Sequence, residues 1–186
     1  ERFRMLASGL DDRSVNPERE DKSVSAEETF ETDITRIEQL EKILLRLTDK
    51  LAAKLRRESL RPRTVTVKIR ERGFITHTRS HTFQPPSNET DVIWQQARRL
   101  LQNWWREHPG ASIRLVGVGT SQFDTAGQSD LFAPAITTDK HSENRGDKSI
   151  PRKPVDSLVD AVREKFGTSA LVRGRLLDIV DEGDKN

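Results

Sequence analysis

Thr64-Val65-Thr66-Val67-Lys68-Ile69-Arg70, then Glu71-Arg72-Gly73, then Phe74-Ile75-Thr76-His77-Thr78-Arg79-Ser80-His81-Thr82-Phe83, is the stretch on which the fold turns. Its first part alternates strictly. Val65, Val67 and Ile69 point one way and Thr66, Lys68 and Arg70 the other, as in a strand with one buried face. The three middle residues make a hairpin connection, with Gly73 available for a positive φ. In the second strand, Phe74 to Phe83, one face holds His77, Arg79 and His81 and the other Thr76, Thr78, Ser80 and Thr82; Pro85-Pro86 ends it.

Outward from the hairpin the apolar spacing changes to three and four. Upstream, Ile34, Ile37, Leu40, Leu44, Leu47, Leu51 and Leu55 form one stripe of a long amphipathic helix. Asp33 is placed as its N-cap, and Pro62 stops it soon after the basic last turn of Arg56 and Arg57. Downstream, Thr90 or Asp91 caps a second helix with the stripe Ile93, Ala97, Leu100, Leu101 and Trp104, ended by Pro109-Gly110. Beyond it Ile113 to Thr120 is a nearly continuous apolar strand, suited to a sheet interior, and Ser23 to Phe30 permits an opening strand. Strand, helix, strand, strand, helix, strand, with right-handed crossovers flanking a hairpin, implies an α+β fold. The expected architecture is a four-stranded antiparallel sheet with two helices on one face, followed by a flexible tail with a short helix. The other sheet face lacks cover, and Lys68, Arg70 and Arg79 are expected to project from it.

A length of 186 residues holds one ordinary domain and part of another. Hydrophobic and charged residues at 33% each describe a core diluted by solvated segments. The absence of cysteine excludes a disulfide scaffold and thiolate metal sites and fits a reducing, cytoplasmic compartment. No apolar run approaches a membrane span and no secretory h-region opens the chain, so no membrane partner is expected. The chain starts at Glu1 without an initiator Met and reads as a piece of something longer. Its net charge of +2 hides a local excess: residues 1–33 carry 5 basic and 10 acidic side chains, residues 34–84 carry 13 and 5, and residues 133–186 carry 10 and 10. Between 61 and 84, six Arg and Lys stand against Glu71 alone. Such a field concentrates a polyanion, although a solvated charged face accounts for it equally.

Residues 1–21 read as the end of a preceding element, with Phe3, Leu6 and Leu10 at loosely helical spacing, and a polar connector turned by Asn16-Pro17. Residues 22–123 hold the βαββαβ pattern. Residues 124–154 are rich in Ser, Thr, Asp, Gly and Pro, the composition of a disordered linker, in which Leu131-Phe132 stands out. In 155–186, Val155, Leu158, Val159, Val162 and Phe166 make the stripe of one short helix with Gly167 as its C-terminal cap. A helix of that length cannot bury its stripe alone, so it needs a surface to dock on.

Catalytic constellations are absent from this pattern, and no catalytic or metal-binding residue is expected. His77 and His81 lie four residues apart on a strand, roughly 13 Å, too far for one metal. Gly117-x-Gly119 lacks the third glycine and the following helix of a dinucleotide loop. Trp94, Trp104 and Trp105 sit on or beside the helix stripe, which favours core packing over base stacking.

Three stretches resemble the little-finger domain of Y-family translesion DNA polymerases, of the bacterial DNA polymerase IV and ImpB/MucB/SamB group. Lys22 to Phe30 resembles its opening segment, Arg61 to Arg70 with Thr78 to Phe83 its central hairpin, and Ile113 to Val118 its closing strand. The resemblance covers roughly residues 11–123. It implies a DNA-holding domain without the catalytic palm; the parent polymerase would use magnesium, and this chain would need no cofactor. Residues 1–21 would be the end of the thumb and a linker. Phosphates of duplex primer–template would be gripped by Ser23, Val24 and Ser25 through backbone amides and by Lys22, Arg79 and His81 through side chains, with Lys68 and Arg70 nearby. Ser25 stands where Gly is common in the family and His81 where Arg is frequent, which makes that contact pH-dependent. Gln128-Ser129-Asp130-Leu131-Phe132 resembles the sliding-clamp-binding peptide of bacterial polymerases, with Gln128, Leu131 and Phe132 as anchors and Ser129 in place of a Leu. The expected partners are thus duplex DNA, the bacterial sliding clamp and the remaining polymerase core. The alternative is a stand-alone single-stranded nucleic-acid-binding module on the same open sheet. A pure protein-interaction domain is a third reading, which leaves the basic hairpin unexplained.

Overall fold

Alternating apolar residues and two leucine-rich stripes assemble here into one sheet and a helical layer. The computed structural model describes residues 2–11, 22–124 and 155–176. Its elements are α1 (Arg2–Ala7), β1 (Ser23–Ile34), α2 (Ile37–Arg57), β2 (Pro62–Glu71), β3 (Thr76–Thr82), α3 (Thr90–Glu107), β4 (Ile113–Phe123) and α4 (Val155–Phe166), with a 3-10 turn at Gly174–Leu176. The strands lie in the order β1-β4-β2-β3, every neighbouring pair antiparallel, as the hairpin and crossovers require. α2 packs over β1 and β4, and α3 over β2 and β3. The core between the layers is the expected one: Leu40, Leu44, Leu55, Val65, Val67, Ile69, Ile93, Leu101 and Trp104 are fully enclosed.

Two rows across the sheet define its faces. Ala26, Val118, Val67 and Arg79 are register partners on the helix-covered side, and Glu27, Gly117, Lys68 and Thr78 on the open side. Glycine at 117 has a specific cause. A Cβ there would stand 2.8 Å from Cβ of Glu27, whose carboxylate crosses β4 to meet Lys68 Nζ at 2.9 Å.

Several local expectations are corrected. Asp33 does not cap α2, because β1 runs on to Ile34 and Arg36 occupies the cap position without a side-chain bond. Asp33 instead accepts from Arg114 Nε at 2.9 Å. Neither Thr90 nor Asp91 caps α3; both lie inside it, and Glu89 at the cap position makes no side-chain bond. In the hairpin the positive φ falls on Phe74 (63°), not on Gly73, and the second strand starts only at Thr76. Phe74 N–H reaches the Glu71 carbonyl and Glu71 N–H the Ile75 carbonyl, so the connection is longer than three residues.

The cap that α3 lacks comes from far along the chain. Asp156 Oδ2, at the start of α4, accepts from Thr90 N–H at 2.7 Å. An acid at a helix N-terminus satisfies an orphan donor and meets the positive end of the dipole. Around it Arg56 bonds Asp156 and Asp160, Arg173 bonds Asp49, Asp91 and Asp156, and Arg163 bonds Asp49 at 2.7 Å. Burial opposes the charge on Arg56, but the hydrogen bond to Asp160 and the nearby charges of Asp156, Asp160 and Asp49 outweigh it, raising its pKa above the ordinary value. Arg173 is raised in the same way, with burial outweighed by the bond to Asp49 and the charges of Asp91, Asp156 and Asp49. α4 forms where its periodicity indicates, and Gly167 closes it at φ 92°. Val159 and Val162 of its apolar stripe are half-buried, but the bonds that tie the helix down are polar. Asp156, Asp160 and Arg163 face the domain, while Val155, Leu158 and Phe166 stay exposed.

Candidate nucleic-acid interface

The basic residues of the hairpin divide between two faces. Lys68 and Arg70 stand on the open side, as expected. Arg79 does not. It pairs in register with Val67, on the helix-covered side, and its guanidinium lies 3.6 Å from Glu107 at the end of α3. His77 and His81 share that side, opposite Ile69 and Val65. A hairpin connection with an odd number of residues keeps odd positions together on one face. The parity of Val67 and Arg79 therefore carried this placement, although side-chain type suggested the other.

Because β3 is an edge strand, its helix-side residues still reach solvent. His81 is exposed and has no side-chain partner among the described residues, and Arg79 is 41% exposed despite Glu107. Behind the same edge, Arg70 Nε donates to Thr76 Oγ1 at 2.9 Å and meets no carboxylate among the described residues. Lys68 is already engaged by Glu27. Arg79 and His81 thus line the β3 edge itself, and Arg70 stands behind it on the open face. The rest of that face is mostly small and polar, with Ser25, Thr29, Gly117, Gly119, Ser121, Thr66, Thr78 and Ser80, and Leu115, between Thr29 and Arg70, is its one large apolar residue in these rows, buried at 2% exposure.

The opposite edge is β1. Lys22 and Ser23 are exposed at its start, as is Ser25, while the Val24 side chain is buried in the core at 4% exposure. The Val24 carbonyl accepts from Thr120 Oγ1 on β4 at 3.3 Å. Alternation along the strand then turns the Ser23 and Ser25 amides toward the free edge and Val24's inward. Three inter-strand steps separate β1 from β3, about 14 Å. A B-DNA major groove is about 12 Å wide. Gln128, Leu131 and Phe132 lie outside the described residues.

This arrangement is an open-sheet α+β domain with hydrogen-bonding edges and basic residues along one rim. Residues 21–131 match the impB/mucB/samB family C-terminal domain. A DNA polymerase IV of Caulobacter vibrioides is 38% identical over 179 residues, 95% of this chain and 40% of that protein. The insertion ternary complex of Dbh DNA polymerase aligns with a TM-score of 0.50 at 15% identity, over 66% of this chain and 34% of that one, a likeness of fold. The complex of beta-clamp processivity factor and little finger domain of PolIV aligns with a TM-score of 0.46 at 24% identity, over 59% of this chain and 96% of that one. The chain belongs to the impB/mucB/samB C-terminal domain family, the little-finger domain of Y-family polymerases of the DNA polymerase IV type. It spans about 40% of the length of the curated relatives it matches.

Proposed function

We propose that this chain holds duplex primer–template DNA for an error-prone translesion polymerase, gripping phosphates from both sheet edges without reading bases. The observation that carries it is the split of the hairpin's charge around the β3 edge, with outward amides and Lys22 on the β1 edge about 14 Å away. Lys22, Ser23, Ser25, Arg79 and His81 are the contacting residues. Val24 positions its neighbours, and Lys68 and Arg70 add field from the open face. Phosphate contacts fix register and carry no sequence information, which suits a template that must pass while distorted. Residues 22–123 make the DNA-holding domain. Residues 1–21 are the end of a thumb and its linker, 124–154 a linker bearing the clamp-binding peptide, and 155–186 a helical extension. The remaining polymerase core, working in a bacterial cytoplasm, supplies the magnesium-binding carboxylates and the chemistry, so this chain by itself extends no primer.

An equilibrium competition tests the DNA reading. Unlabelled duplex is expected to displace labelled duplex from the chain at lower concentration than single strands of equal length. Single strands winning by a wide margin would instead support a single-strand-binding module on the open face, where bases would stack. The clamp reading is tested separately. Leu131→Ala with Phe132→Ala is expected to abolish binding to a bacterial sliding clamp and leave duplex affinity intact, since two apolar anchors at about 1.5–3 kcal/mol each supply most of such a peptide's affinity. Clamp binding that survives the double change removes this peptide from the account.

A further inference from the structure

The spacing of His77 and His81 on one strand rules out a shared metal, but folding brings a different histidine to His77. His108 follows α3 directly, and Glu71 ends β2 across the hairpin from His77. One ligand atom from each of Glu71, His77 and His108 lies within 4.8 Å of the others, all three half-buried. We propose that these three side chains form a binding site for a divalent transition cation of the zinc class, a clip between the β2–β3 hairpin and the C-terminal end of α3.

The second layer of contacts supports it. His108 Nδ1 lies 2.8 Å from the Trp104 carbonyl. A carbonyl only accepts, so Nδ1 carries the proton and Nε2 presents its lone pair. Histidines that bind metal are commonly fixed in this way, by a backbone carbonyl on the other ring nitrogen. The ring is also held flat against the Trp104 indole, with centroids 4.3 Å apart and planes 12° apart, and His77 sits 5.0 Å from it. His77 Nε2 meets Glu71 Oε1 at 2.7 Å, so the carboxylate is already aimed at the imidazole pair. Tetrahedral zinc places neighbouring ligand atoms about 3.3 Å apart, between the 2.7 Å of the Glu71–His77 pair and the 4.8 Å within which all three ligand atoms fall. Two imidazoles and one carboxylate suit zinc, cobalt or nickel; magnesium prefers an octahedron of oxygens. The site lies on β3 beside Arg79, so cation binding would fix the edge strand from which Arg79 and His81 reach out. It does not depend on the DNA reading.

The test is calorimetric titration of the chelator-treated full chain with zinc chloride, alongside Trp fluorescence. One equivalent is expected to bind with a Kd below about 10 µM and to change the Trp emission in step, whereas magnesium chloride gives no saturable heat. His108→Ala and Glu71→Gln are each expected to weaken zinc at least about tenfold, with His141→Ala as the unaffected control. Glu71→Gln keeps the shape of the hairpin, so its result stands even if the histidine variants lose structure. Cobalt(II) in place of zinc is expected to give the visible bands of a tetrahedral site. Absence of saturable zinc binding, equal binding of magnesium, or zinc affinity unchanged in both variants would overturn the proposal.

Discussion

Toward the sheet, α2 and α3 bury Leu40, Leu44, Leu55, Ile93 and Trp104 against Val65, Val67 and Val118. Away from it, the same helices offer Asp49, Arg56 and the Thr90 amide to Asp156, Asp160, Arg163 and Arg173 of the C-terminal segment. The first contact is non-directional and scales with apolar area. The second needs every donor and acceptor in place, and a missing partner strands a desolvated charge. Among the described residues of the segment, Leu176 at 5% exposure joins the apolar core and Val172 packs against it. One helical layer therefore carries two attachments of different physics, and they should fail separately.

The largest effect is expected from the sheet side. Leu44→Ala removes a fully enclosed side chain from between α2 and the sheet, costing about 2–5 kcal/mol. Urea unfolding should show a lower midpoint in one transition, with the C-terminal segment released along with everything else. Asp156→Asn comes next, at about 2–3 kcal/mol, since it weakens the N-terminal cap of α3 and leaves Arg56 and Arg173 short of a partner. Hydrogen exchange should then quicken across residues 155–176 while the β2 and β4 amides stay protected. Equal loss of protection in both places would mean that the two attachments form one cooperative unit. The smallest effect is expected at the solvent rim. Glu107→Gln frees Arg79 from a half-exposed pair worth well under about 1 kcal/mol, so duplex affinity should rise about twofold and stability should hardly move. A fall in affinity would mean that Glu107 orients Arg79 usefully rather than competing for it.

The same contrast explains what could be read from the chain before folding. Apolar periodicity encodes a face, so the stripes from Leu40 to Leu55 and Ile93 to Trp104, the strand alternation and the topology were all legible. Burial of Asp49, on the second side of α2, was not, because it depends on Arg163 and Arg173, over a hundred residues away, whose charges carry no period. For the same reason residue type points to Thr90 or Asp91 as the cap of α3, whereas Asp156 supplies it. Asp33 is a further case: a good cap by residue type, it is drawn into β1 and bonded by Arg114. Arg79 differs, since hairpin parity encoded its side and only the preference of cations for an open face argued otherwise.

The central claim, that the β3 edge grips phosphate, is tested most directly by the salt dependence of duplex binding. Log K against log salt should be measured for the unmodified chain and for Arg79→Ala on two duplexes of unrelated sequence. The account predicts a slope shallower by about 0.9 in the variant and an equal loss of affinity on both duplexes. An unchanged slope, or a loss confined to one sequence, would contradict it.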